Sequence, residues 1–191
     1  MCDDRTDTVL QSSYGVMESL SRIETLVKVD TKHCASVMSN EYALDYKTLL
    51  SRARSVYDEI GLELQEPFDG ARSCCERAVA LRGKNVIITH RDKASCMRFL
   101  SRYGFDAYFA HIVTKDDGFP SKPSPESFRH VLEVNKMERS ATCGVGDREI
   151  DVGAANTSGV SSFYFCPKGT VNENARRCIS RLAELEEALG C

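Results

Sequence analysis

The sequence predicts an α/β fold: a parallel, doubly wound sheet preceded by a helical N-terminal segment. Three observations carry this reading. From Asn85 onward, short apolar runs ("NVIITH", "AHIVTKDD", "SATCGVGD", "VSSFYFC") alternate with helical stretches of about 10 residues, the rhythm of strand–helix–strand units. Before Pro67 the spacing of apolar residues is helical. Gly83, Gly104 and Gly159 stand where helical stretches end, the position that favours a residue free to turn left-handed.

In chain order, Tyr14 to about Glu66 reads as helical, and "LDYKTLLSRARSVYDEIGLEL" sets Leu44, Leu49, Ala53, Val56 and Ile60 on one face. Pro67 and the following "FDGA" punctuate the chain. "ARSCCERAVALRG" is then a helix closed by Gly83, and "NVIITH" a short strand apolar enough to be buried on both faces. "KASCMRFLSRYG" is a helix, "AHIVTKDD" a second strand, "SPESFRHVLEVNK" a helix and "SATCGVGD" a third strand. "IDVGAANTSG" is a helix, "VSSFYFC" a fourth strand, and "NENARRCISRLAELEEALG" a terminal helix with Ile179, Leu182, Leu185 and Leu189 on one face.

A chain of 191 residues with 42% hydrophobic content suits one domain, or one domain with a modest insert. Its net charge of −3 and lack of a basic run argue against a nucleic-acid partner. No apolar stretch approaches the roughly 20 residues of a membrane-spanning helix. The opening "MCDDRTD" is too polar and acidic for a signal peptide, so a cytoplasmic location is expected. Nine cysteines, an odd number without a C-x-x-C pair, read as thiols in a reducing compartment, not as a disulfide framework. The histidines, His33, His90, His111 and His130, are scattered away from the cysteines, which argues against zinc.

Ligands of such sheets bind beyond the carboxyl ends of the strands, so three loops deserve a chemical reading. Thr89 follows the first strand, where a hydroxyl can donate to a phosphate oxygen; β-propensity alone also puts Thr at strand ends. Lys122, in "GFPSKPSPESF", is braced before a helix start marked by Pro125, where an ammonium can neutralise phosphate or a carboxylate pair; a surface Lys is the plainer alternative. Asp147 follows "CGVG" directly, and Asp151 shares its helix face at i+4. Two such carboxylates suit Mg²⁺, which takes a few carboxylates, waters and a substrate phosphate. They are equally readable as a helix N-cap and a first-turn charge, with Arg148 between them.

Together "VIITHRD", "SKPSPESF" and "GVGDREIDVGAANTSGV" resemble the second, third and fourth motifs of the haloacid dehalogenase-like hydrolases. The likeness is to the phosphoglycolate-phosphatase-like and β-phosphoglucomutase-like members with a helical cap. Gly146, Asp147, Asp151, Ala154, Ala155 and Gly159 match the fourth motif position by position. The resemblance implies a Rossmann-like hydrolase core from residues 1–13 and 67–191, with residues 14–66 as the helical cap. It implies an Mg²⁺-dependent phosphatase of a small phosphorylated metabolite, working through an aspartyl-phosphate. Thr89 and Lys122 would be catalytic and bind the phosphoryl group, with His90 beside Thr89 also at the phosphate. Asp147 would hold the metal, with Asp151 as a second ligand or as a partner one step behind it.

The family's first motif, D-x-D-G-T, carries the nucleophile and the general acid/base. Setting "DRTDT" against it puts Asp4 at the nucleophile and metal position, Thr6 at the acid/base and Asp7 at the glycine. Anchoring on "SSYG" instead puts Arg5 at the nucleophile and Asp7 at the acid/base. Neither alignment supplies both carboxylates, so the expected alternative is a catalytically impaired relative.

Overall fold

The computed structural model describes residues 31–59 and 65–189, with Ser19, Arg22, Ile23 and Leu26 before them. Asp4, Arg5, Thr6 and Asp7 lie outside the described residues. The chain divides into two compact units, Met1–Glu66 and Pro67–Cys191.

Among the described residues, the first unit holds the helices α1 (Thr31–Glu41) and α2 (Tyr46–Glu59), and Arg22, Ile23 and Leu26 before them are also helical. Ile23, Cys34, Ala35, Met38, Leu49 and Leu50 form its buried cluster. The helical run is interrupted between them: Ala43 adopts φ 52°, and Asp45 restarts the helix by accepting the Thr48 N–H at 2.8 Å. Leu44 therefore sits in the turn, packed against the cluster and not on the α2 stripe. An Asp that caps outcompetes continuation of the helix because its side chain satisfies an orphan donor. Leu49 and Ala53 are buried as the stripe requires, while the side chains of Val56 and Ile60 lie outside the described residues.

The second unit alternates as the sequence predicts. Its elements run α3 (Ala71–Ala80), β1 (Asn85–Ile88), α4 (Lys93–Arg102), β2 (Phe109–Val113), α5 (Glu126–Val134), β3 (Cys143–Gly146), α6 (Glu149–Thr157), β4 (Ser161–Phe165), β5 (Arg177–Ile179) and α7 (Ala183–Leu189). All described strand pairs are parallel: β1 with β2, and β3–β4–β5 as a second sheet. The carboxyl ends that carry Thr89 and Asp147 thus belong to two described sheets. A cavity of about 650 Å³ lies between them, lined by Val86 and Ile88 of β1 and by Cys143, Gly144 and Val145 of β3. Phe128, Val131 and Leu132 of α5 also line it, and Lys122 and Asp151 belong to the same lining.

Two features of this unit depart from expectation. The left-handed residue beyond α3 is Arg82, at φ 61°, and not Gly83. The segment from Asn172 is not a single helix: Arg177–Ile179 forms β5 beside β4, and only Ala183–Leu189 is helical. β-branched Ile179, 2% exposed, completes the β4 edge, and its carbonyl accepts the Cys166 N–H at 2.8 Å. Glu184 then accepts the N–H groups of Ser180 and Arg181, each at 3.0 Å, and the helix begins only there. Leu185 lies in the helix and Leu182 just before it; both pack in one cluster with Ile179, which meets the helical spacing from a strand.

Candidate active site

β1 and β2 stay paired beyond their ends: Thr89 N–H donates to the Val113 carbonyl at 2.9 Å, and Lys115 N–H to Arg91 at 3.0 Å. This fixes the backbone on both sides of the Thr89 side chain. Thr89 Oγ1 accepts the Arg91 N–H at 3.1 Å, which uses a lone pair and leaves the hydroxyl proton to donate elsewhere.

Beyond β2, Thr114 and Asp117 bond reciprocally and close a short helical turn (Lys115–Asp117). The chain then runs to Lys122, whose side chain is 7% exposed. Three contacts hold this residue. Its Nζ donates to the Ile88 carbonyl at 2.9 Å and pairs with Asp151 Oδ1 at 2.5 Å. Its backbone N–H donates to His90 Nε2 at 3.1 Å. Lys122 is therefore a buried cation set at the carboxyl end of β1, one residue from Thr89.

Beyond β3, Arg148 is the N-cap of α6 and Asp151 stands at its third helical position. Asp151 Oδ2 accepts the Arg148 N–H at 3.2 Å, with the Arg148 guanidinium 3.6 Å away. With Oδ1 given to Lys122, both oxygens of Asp151 are engaged and the residue is 9% exposed. Asp147 is different. It is not the helix cap, it is exposed, and among the described residues it has no ion-pair partner. Its field is felt nearby: burial first, then Cys166, Glu149 and Asp147, raise the Tyr164 phenol above its usual range.

Gly146 makes the turn from β3 into α6 possible. A Cβ built on it would stand 2.3 Å from Asp151 Cβ, so only glycine lets the Asp151 side chain fold back over the strand end. Gly144 approaches Ala155 and Phe128 closely, and Gly153 approaches Pro123, which seats α6 against the sheet and the Lys122 loop.

The structure thus joins Lys122, His90 and Asp151 by direct contacts and ties Lys122 to the residue before Thr89; Asp147 stands four residues before Asp151. Sequence reasoning missed the Ile88 carbonyl, since a main-chain acceptor leaves no mark in the residue type. It also missed the steric role of Gly146, which a glycine placed directly before a strand-end Asp could have suggested.

Parallel strands with intervening helices thus gather a lysine, a threonine and aspartates at the strand ends. The profile of the haloacid dehalogenase-like hydrolases matches residues 6–165, and the chain belongs to that family. It is 27% identical over 100 residues to pyrophosphatase PpaX of Halalkalibacterium halodurans, covering 52% of this chain and 46% of that protein. It is 34% identical over 77 residues to phosphoglycolate phosphatase of Neisseria gonorrhoeae, covering 40% of this chain and 33% of that enzyme. The matched stretches thus span less than half of either relative. In fold it superposes on a HAD phosphatase from Thermococcus onnurineus with a TM-score of 0.63 at 21% identity, over 88% of this chain and 92% of the other. These likenesses set it beside the phosphoglycolate-phosphatase-like members, as the motifs implied.

Proposed function

We propose that this chain is an Mg²⁺-dependent phosphatase that hydrolyses a small phosphorylated metabolite through an aspartyl-phosphate. The observation that carries the reading is Lys122: a buried ammonium held by Asp151 and by the carbonyl of Ile88, the residue before Thr89. A positioned cation and a hydroxyl donor are the groups a transferring phosphoryl needs to bind and to spread its charge. Asp4 would attack phosphorus, forming the acyl-phosphate as the ester P–O bond breaks and the leaving alkoxide takes a proton from water; a water would then attack the acyl-phosphate phosphorus, releasing phosphate and regenerating the carboxylate. In this reading residues 1–13 join 67–191 in one catalytic core, residues 14–66 form the cap, and the protein works in the cytoplasm without nucleic acid. Among the described residues no helix is long and apolar enough to cross a membrane.

The donor set suits magnesium. The described residues hold no cluster of three metal-binding side chains, but Mg²⁺ is commonly held by one or two carboxylates, waters and substrate phosphate. Asp147 would provide one carboxylate and Asp4 a second. Asp151, its oxygens already used, would act behind Asp147 by anchoring Lys122. Bound there, Mg²⁺ would neutralise charge on the phosphoryl oxygens.

A second reading rests on the alignment that makes Asp4 the nucleophile, in which Thr6 stands where the acid/base carboxyl belongs. A hydroxyl there would slow turnover by about two to four decades, leaving an impaired relative that binds phosphate. Release of phosphate from an aryl phosphate, with and without Mg²⁺, separates the two. Metal-dependent turnover lost in both Asp4→Asn and Asp147→Asn supports the phosphatase. Turnover unchanged in Asp4→Asn removes Asp4 as nucleophile. No turnover, with Mg²⁺-dependent binding of orthovanadate retained, supports the impaired relative.

A further inference from the structure

Lys122 is gripped twice by a single three-residue segment. Its Nζ bonds the carbonyl of Ile88 at 2.9 Å, and its main-chain N–H bonds Nε2 of His90 at 3.1 Å. Thr89 lies between the two acceptors. The contact with His90 has a chemical requirement: a ring nitrogen can accept an N–H only through its lone pair, so Nε2 must be unprotonated and the ring proton must sit on Nδ1. An imidazole bonded in this way does its work on the protein backbone.

We infer that His90 is a positioning residue: as the neutral Nδ1–H tautomer it fixes the backbone of Lys122, so that the Lys122 ammonium and the Thr89 hydroxyl are held in register. This rests on the reading of Lys122 and Thr89 as the phosphoryl-binding pair. It gives His90 a role exerted through Lys122, distinct from the expected contact with the phosphate. The side-chain grip at Ile88 anchors only the tip of a long, flexible chain. Fixing the backbone at His90 as well removes the freedom that would let the tip be reached from a displaced loop. Small displacements of a positioned group are costly in rate.

The first measurement needs no activity. Long-range ¹H–¹⁵N correlation of the imidazoles at pH 7.5 should give His90 as the Nδ1–H tautomer. In the phosphate-free protein, His90→Ala should shift the Lys122 amide and speed its hydrogen exchange, whereas His90→Asn, which keeps an acceptor, should restore much of both. Where the wild type turns over an aryl phosphate, His90→Ala should lower kcat/KM by on the order of 10- to 100-fold, with His90→Asn recovering most of it. An Nε2–H tautomer, or a Lys122 amide indifferent to His90→Ala, overturns the inference. So does a His90 ring whose Nδ1 signal moves on phosphate binding, since that makes it a direct ligand. If the tautomer and the amide behave as expected but no variant or wild type has activity, the phosphatase reading fails and the positioning contact stands.

Discussion

At a side-chain exposure of 7%, Lys122 is paired with the carboxylate of Asp151, itself 10% exposed. A buried pair of this kind has little net worth against an apolar replacement, but breaking it by removing one member leaves the other charge stranded. Lys122→Met should therefore destabilise the fold by about 3 kcal/mol or more. Asp151→Asn should cost a similar amount, although it preserves an acceptor for the Arg148 N–H. The double variant should lose clearly less than the sum of the two, with a coupling of about 1–3 kcal/mol, because neither charge is then left alone. Urea denaturation of the four proteins measures this. Additive losses would mean that the pair does not hold the strand ends together. Nothing in the sequence says which acid faces Lys122: the i+4 spacing of Asp147 and Asp151 makes them look equivalent, and only the fold of the β3–α6 turn separates a tethering Asp from an exposed one.

Among the elements, the β3–α6 junction shows how much was legible. The strand, the turn and the helix were all readable from "CGVGD" followed by small residues, because Gly144, Ala155 and Gly153 allow close packing wherever they fall on a helix–sheet contact. The β5 strand was not readable, since three residues are too few to establish a period of two against the helical spacing around them. The break at 42–45 was hidden for a similar reason: capping by Asp45 depends on one local bond, which an apolar stripe does not report. The packing itself predicts an order of damage. Gly146→Ala sets a Cβ 2.3 Å from the first side-chain atom of Asp151, which moves only with the helix, so it should lose the most stability and loosen Lys122 as well. Gly144→Ala meets Ala155 at 3.0 Å and Phe128 at 3.1 Å and should cost about 1–3 kcal/mol by overpacking. Gly153→Ala meets only Pro123, at 3.3 Å, and gains helix propensity of about 1 kcal/mol, so it should be near neutral. Thermal or urea midpoints rank the three, and a Gly146→Ala no worse than Gly153→Ala would refute the close fold-back of Asp151.

Across the whole molecule, ionisable groups favour the native state on both sides of neutrality. The Ser95 N–H holds the Asp92 carboxyl below its ordinary 3.8, and the backbone and side chain of Thr114 do the same for Asp117. Bonds from the Thr48 side chain and backbone lower Asp45, and bonds from Arg181 and Ser180 lower Glu184. Each of these carboxyls ionises more easily folded than unfolded. Each therefore favours the native state above its ordinary value, and that advantage disappears as pH falls through the lower folded value. The thiols act at the other end. Burial, reinforced by Glu186, pushes Cys74 from 9.0 up to about 12. Burial likewise raises Cys75, Cys96 and Cys143. A thiol harder to ionise in the folded chain favours the native state up to its unfolded value and loses that effect as pH climbs toward the folded one. Urea midpoints against pH should therefore form a plateau between about pH 5 and pH 8, with a fall below about pH 4 and another above about pH 9. Cys74→Val removes one titrating group while keeping the site apolar, so it should flatten the alkaline limb and leave the acid limb alone. Asp92→Asn, which keeps an acceptor for Ser95, should flatten only the acid limb. A Cys74→Val protein with an unchanged slope between pH 9 and pH 11 would show that the thiol ionises no harder in the folded chain than in the unfolded one.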